Sequence, residues 1–146
     1  MAAVTVLLAN DHPIIRSGLR VILERERDLR VVAEAANGRE AVVLAEYKRP
    51  DIILLDVSLP YVNGMAAARE ISQKDRHAGI IFVGEHTDEA YVSEAFKAGA
   101  RGYVSADAVQ TDLVQAIRTV MAGDPFVSPG CMQPGRVNRD LPTRSA

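Results

Sequence analysis

Short, mostly apolar runs alternate with longer amphipathic ones from residue 4 to residue 122. The short runs are V-T-V-L-L-A at 4–9, L-R-V-V-A-E-A-A at 29–36, I-I-L-L at 52–55, G-I-I-F-V-G at 79–84 and R-G-Y-V-S at 101–105. Runs of this length, rich in β-branched residues, predict strands buried on both faces. The segments between them place apolar residues at helical spacing. In the first, Ile14, Ile15, Leu19, Ile22 and Leu23 share one side, with Arg16, Arg20 and Glu24 opposite. The second turns Ala41, Val42, Leu44 and Ala45 inward, and the third Met65, Ala68 and Ile71. The fourth carries Ala90, Tyr91, Ala95, Phe96 and Ala98, and the fifth Leu113, Val114, Ile117, Val120 and Met121. Pro13 suits a first helical turn, Asn37-Gly38 a helix start and Gly123-Asp124-Pro125 a stop. Five alternating strands and helices predict a parallel sheet with helices on both faces, joined by right-handed crossovers.

The periodicity ends near residue 128. The segment S-P-G-C-M-Q-P-G-R-V-N-R-D-L-P-T-R-S-A is rich in Pro, Gly and Arg and has no regular spacing. The expected organisation is therefore one domain over 1–127 and a linker or tail over 128–146. Apolar residues at 48% and charged ones at 25% are ordinary for a globular protein, and the net charge of -2 argues against a nucleic-acid-coating role. Cys131 is the single cysteine, which rules out an internal disulfide framework and suits a reducing compartment. No apolar run approaches membrane-spanning length and no basic leader precedes the first strand, so the expectation is a cytoplasmic protein without membrane contact.

Two strands end on carboxylates. The first runs into Asn10-Asp11, and the third ends on Asp56, followed by Pro60 and the turn Asn63-Gly64. Open α/β sheets place their chemistry at the carboxyl ends of the strands. Neighbouring carboxylates repel unless a cation or proton joins them, and an oxygen-only set suits Mg²⁺. An exposed aspartate can also act as a nucleophile and form an acyl phosphate. The plainer alternative is that Asp56 caps its turn and Asp11 the next helix, and the spacing leaves both open. His12, His77 and His86 are isolated and read as loop or solvated residues, not as metal ligands.

Taken together, A-N-D-H-P, D-I-I-L-L-D-V-S-L-P with its N-G, A-F-K-A-G-A-R-G-Y and G-D-P-F-V-S-P resemble a response regulator receiver domain, the phosphoacceptor module of two-component signalling. The last segments resemble the branch with a LuxR-like helix-turn-helix output. The resemblance covers residues 4 to about 129. It implies a flavodoxin-like (βα)5 fold with strand order 2-1-3-4-5. It puts Asp56 at the phosphoacceptor and Asp11 at the metal-binding acid, and Ser58 where a backbone carbonyl completes the Mg²⁺ shell. Tyr103 falls on the aromatic that rotates inward on activation. Three positions depart from the family pattern: Asn10 replaces the first acid, Gly84 the hydroxyl residue, and Ala106 the lysine. Asn10 removes a charge from the metal site, so Mg²⁺ is expected to bind weakly. Gly84 and Ala106 remove two groups that would bind a phosphoryl oxygen, so switching is expected to be impaired or independent of phosphorylation.

The resemblance further implies a sensor histidine kinase as partner and a homodimer through the fourth helix, fifth strand and fifth helix. Glu89, Glu94, Lys97, Arg101, Asp112 and Arg118 would stand on that face. DNA would be reached only through an output domain absent from this chain; Arg136, Arg139 and Arg144 of the tail read as solvated. The expected function is regulatory and not enzymatic. A phosphatase or phosphotransferase using Asp56 as nucleophile is the alternative, weakened because Ser58 stands where dehalogenase-like hydrolases carry an acid. A small-ligand module is a third reading, without a Gly-rich phosphate loop to support it.

Overall fold

The computed structural model describes residues 3–85 and 88–131. His86, Thr87 and the tail arginines lie outside the described residues. Six parallel strands form one sheet: β1 (Val4–Ala9), β2 (Leu29–Ala35), β3 (Ile52–Asp56), β4 (Gly79–Gly84), β5 (Gly102–Ser105) and β6 (Phe126–Val127), in the order β2-β1-β3-β4-β5-β6. The helices are α1 (Pro13–Glu24), α2 (Gly38–Lys48), α3 (Gly64–Lys74), α4 (Glu89–Lys97) and α5 (Val109–Met121). The expected order of five strands holds and gains a sixth. β6 has only two residues, too few to show any period, and it follows a proline.

The centre of the sheet explains its layers. Ile52, Ile53, Leu54 and Leu55 are all buried. Successive side chains of a strand point to opposite faces. Ile52 and Leu54 accordingly join α1 and α5, while Ile53 and Leu55 join α2, α3 and α4. Each such side chain contributes roughly 1.5–3 kcal/mol on burial. At the amino end, Thr5 locks the register: its N–H and hydroxyl donate to Asp51 Oδ2 at 2.9 and 3.1 Å, and the Asp51 N–H donates to Thr5 Oγ1 at 3.0 Å. The Gly79 N–H donates to the Asp51 carbonyl, tying β4 to the same corner.

Helix starts are set by side chains. Asn37 accepts from the Glu40 N–H, and Glu40 accepts from the Ala36 N–H, a reciprocal cap. Asn63 accepts from the Ala66 N–H at the head of α3. Gly38 touches the loop that follows β3: an added Cβ would lie 1.6 Å from the Val62 carbonyl oxygen.

Three expectations about the helices need correction: on α4, Ala90 and Tyr91 are exposed and Val92 turns inward with Ala95 and Phe96. Ile14 and Ile15 are 88% and 50% exposed, because the first turn of α1 rises beyond the end of the sheet. Met121, in the last turn of α5, is 45% exposed at the opposite end. At the other boundary, packing continues past residue 127, where the sequence places a tail. Ser128 and Cys131 are buried, and residues 129–131 form a 3-10 turn.

The two glycines should respond oppositely to alanine. Gly38→Ala should destabilise by about 1–3 kcal/mol, since backbone must move to admit the methyl group. Gly18→Ala, at a mid-helix position with nothing within 4 Å, should stabilise by about 0.5–1 kcal/mol. Urea unfolding of both variants checks the sign of each.

Candidate functional site

The carboxyl ends of β1, β3 and β4 and the turn after β5 enclose a cleft of about 250 Å³. Asn10, His12, Asp56, Ser58, Gly84, Glu85 and Ala106 line it, with Ile15, Val57 and Val83 as apolar walls. Asp56 ends β3 in register with Val83, so Gly84 stands one step further out on the neighbouring strand. The Ser58 N–H donates to Asp56 Oδ1 at 3.1 Å, closing a tight turn. Asn10 Oδ1 accepts from the His12 N–H at 2.8 Å, and Arg16 donates to the Asn10 carbonyl at 2.6 Å. Asp56 thus closes its own turn, while α1 starts at His12 with no side-chain cap, so the helix-capping role considered for Asp11 is not taken up. His12 Nε2 lies 3.5 Å from Asp11 Oδ1.

The electrostatics of this cleft are anionic. Burial pushes the Asp56 carboxyl above the usual carboxylate range. The charges of Asp11 and Glu85 add to the rise, against the Ser58 N–H and His12. Glu85 lines the cleft, a site residue that the sequence pattern did not single out. Its signal was available: it directly follows a strand whose neighbour ends on Asp56. The donors are carboxylate, amide and carbonyl oxygens. Among the described residues no group of three or more His, Cys, Asp or Glu could hold a metal by itself. Such a set fits Mg²⁺, which keeps several waters and takes one or two carboxylates. Asp11 and Asp56 would hold it, and it would offset the repulsion that burial intensifies.

Gly84 and Tyr103 occupy one another's space. A Cβ on Gly84 would lie 2.5 Å from the Tyr103 hydroxyl and 3.0 Å from Val57 Cγ2. Tyr103 is fully buried, with its ring centroid 6.4 Å from that of Phe82. Its phenol is pushed well above its usual pKa, chiefly by burial. At the position where the resemblance implies a mobile switch, the aromatic is inside, filling the volume that a larger residue at 84 would take. Ala106, in the turn after β5, brings only a methyl group to the cleft.

Comparison with known proteins agrees with this geometry. The model of the response regulator receiver domain matches residues 6–118. The chain belongs to that family. UvrY, a response regulator of Escherichia coli K12, is 35% identical over 125 residues, which are 86% of this chain and 57% of UvrY. The transcriptional regulatory protein DegU of Brevibacillus brevis is 33% identical over 126 residues, which are 86% of this chain and 53% of DegU. A LuxR-family two-component response regulator from Aurantimonas sp. SI85-9A1 superposes with a TM-score of 0.86 at 40% identity, covering 89% of this chain and 93% of that one. The chain spans little more than half the length of the curated relatives it matches. It is a receiver domain of a two-component response regulator, homologous to LuxR-family transcription regulators. Among the described residues, no helix is long and apolar enough to cross a membrane.

Several charges expected on a signalling face are already engaged within the receiver. Arg118 makes two bonds to Asp28, at 2.6 and 2.9 Å, and one to Glu26 at 3.1 Å, which turns it toward the β2 side of α5. Glu94 lies 3.5 Å from Arg69. Asp112 accepts from the Ser128 hydroxyl at 2.8 Å, and Arg101 donates to the Arg76 carbonyl at 3.3 Å.

Two outcomes follow for this receiver. Replacing Gly84 by Thr should drive Tyr103 outward. Spectrophotometric titration should then show the Tyr103 phenol ionising at lower pH than in the parent protein, because its burial is what raises it. The second concerns Asp56, whose raised folded-state pKa means that the native state binds its proton more tightly than the unfolded chain does. Stability then falls as pH rises from the ordinary carboxylate range through the raised value. Without divalent cations, Asp56→Asn should raise Tm at about pH 7 and lose that advantage at about pH 3, below the ordinary Asp value.

Proposed function

We propose that this receiver takes a phosphoryl group on Asp56 poorly and switches little when it does. The observation that carries the proposal is the filled space at Gly84. A hydroxyl residue there would bond a phosphoryl oxygen and draw the loop inward. Here the position has no side chain, and Tyr103 already occupies the volume beside it. Ala106 supplies no ammonium group to the cleft, and Glu85 supplies a negative charge. A charge-assisted hydrogen bond contributes about 1.5–3 kcal/mol. Losing one weakens phosphoryl binding roughly tenfold to hundredfold.

The rest of the family role is assigned on the same terms. Mg²⁺ would sit on Asp11, Asp56 and the Ser58 carbonyl, with Asn10 adding at most a neutral oxygen. It would shield the carboxylate from the incoming phosphoryl charge. A sensor histidine kinase is the expected phosphoryl source. Transcriptional output, if this protein resembles the transcriptional regulatory protein DegU in this, would come through a region outside residues 3–131. The receiver acts by changing what it binds, not by turnover. The phosphotransferase alternative gains no support, because the side chain two residues after Asp56 is a serine.

Intact-mass measurement after incubation with a small phosphoryl donor and Mg²⁺ tests the reading. Little stable phosphoprotein is expected. Ala106→Lys alone should raise the yield at least tenfold, because it restores a charge without touching the Gly84 contact. Stoichiometric, long-lived phosphorylation that disappears in Asp56→Ala would overturn the proposal. Titration with Mg²⁺ checks the metal assignment: Asn10→Asp should bind it more tightly than the parent chain.

A further inference from the structure

Without β6, β5 would be the edge of the sheet. A bare edge presents unpaired N–H and C=O groups and invites another strand. Residues 126–131 cover it. The Phe126 N–H donates to the Arg101 carbonyl at 3.0 Å and the Ser128 N–H to the Tyr103 carbonyl at 2.9 Å. The buried Ser105 N–H, next along β5, donates to Ser128 Oγ at 3.0 Å. That hydroxyl in turn donates to Asp112 of α5 at 2.8 Å, so one serine fastens the segment to both β5 and α5. The Cys131 N–H then donates to the Ser128 carbonyl and turns the chain back on itself.

Apolar contacts complete the cover on both sides of the strand. Phe126 packs against the cluster that holds α5, while Val127 and Cys131 belong to the cluster on the other face, with Tyr103 and with Phe96 of α4. The segment therefore lies between α4 and α5, along the edge of β5. This is the surface where the sequence placed a homodimer contact, and the chain has put its own residues there.

We propose that residues 126–131 are a strap that keeps this receiver monomeric by denying the β5 edge to a second copy. Lifting the strap exposes the Arg101 and Tyr103 carbonyls, the Ser105 N–H and the apolar floor formed by Phe96 and Tyr103. An identical strand edge from a second copy satisfies the same groups across a two-fold axis, as an isologous contact requires. The strap leaves α5 through Gly123, at φ +95 with nothing within 4 Å of an added Cβ. The inference rests on the packing of 126–131 and holds whether or not Asp56 is phosphorylated.

Sedimentation velocity over a wide concentration range, paired with amide hydrogen exchange, tests it on the full 146-residue chain. The parent should sediment as a monomer, with the Phe126 and Ser128 amides protected. Val127→Asp, which places a charge in the apolar floor, should lift the strap and give a reversible dimer. The β5 amides of that variant should exchange quickly at low concentration and regain protection on dimerisation. Ser128→Ala deletes only the hydroxyl bridge, leaving the buried Ser105 N–H unpaired. It should tighten self-association at least tenfold and carries the test if Val127→Asp does not fold. A parent protein that is already a tight dimer with its strap protected would overturn the proposal. So would a folded Ser128→Ala variant with a deprotected strap that remains monomeric.

Discussion

Burial of β3 on both faces is the constraint from which the architecture follows. Four consecutive apolar side chains alternate between the two faces and need cover on each. A single layer of helices would leave Ile52 and Leu54, or Ile53 and Leu55, in water. Parallel neighbours and helices above and below meet that need together. The same constraint creates the site. A strand buried on both sides reaches solvent only at its ends, and at its carboxyl end the first polar residue is Asp56. The Thr5–Asp51 lock at the other end fixes β1 against β3. Asn10-Asp11 therefore emerge beside Asp56 instead of a residue higher or lower.

At the cleft, three negative side chains meet one neighbouring imidazole. Asp56 alone would be raised by burial, and Asp11 and Glu85 raise it further. The arrangement favours a cation and opposes an anion, and neither Gly84 nor Ala106 brings a polar side chain to the cleft. Gly84 has a second consequence beyond lacking a hydroxyl. Its bare backbone gives room for Tyr103, so the ring is held inside by packing. A threonine cannot be restored there without moving the ring, which makes positions 84 and 103 one unit.

The parts of this fold visible in the sequence were those that repeat. The apolar runs at 52–55 and 79–84, and helix faces such as Leu113, Ile117 and Val120, carry several residues of one period. The carboxylates Asp11 and Asp56 were visible because they punctuate such runs. What repeats too little was invisible. β6 has two residues, and Ser128 and Cys131 are buried by hydrogen bonds and contacts that no local pattern announces. Ile14 and Ile15 misled because periodicity identifies the apolar side of a helix but not how far the sheet beneath it extends. The Tyr103–Gly84 contact joins residues on adjacent strands, so its effect appears only when a side chain is placed at 84. Glu85 was overlooked because a polar loop residue has many local roles, and only its position across from Asp56 distinguishes one.

The late arrival of β6 in the chain has a consequence for synthesis. β5 ends at Ser105 and its cover begins at Phe126, with all of α5 between them. At about 5–20 residues per second, the ribosome releases β5 roughly one to four seconds before the segment that seals it. During that interval the nascent sheet carries an open edge beside α4, in a crowded polysome where neighbouring chains expose the same one. The order of residues along the chain, and not only their final packing, thus sets how long this protein must survive with an unprotected strand.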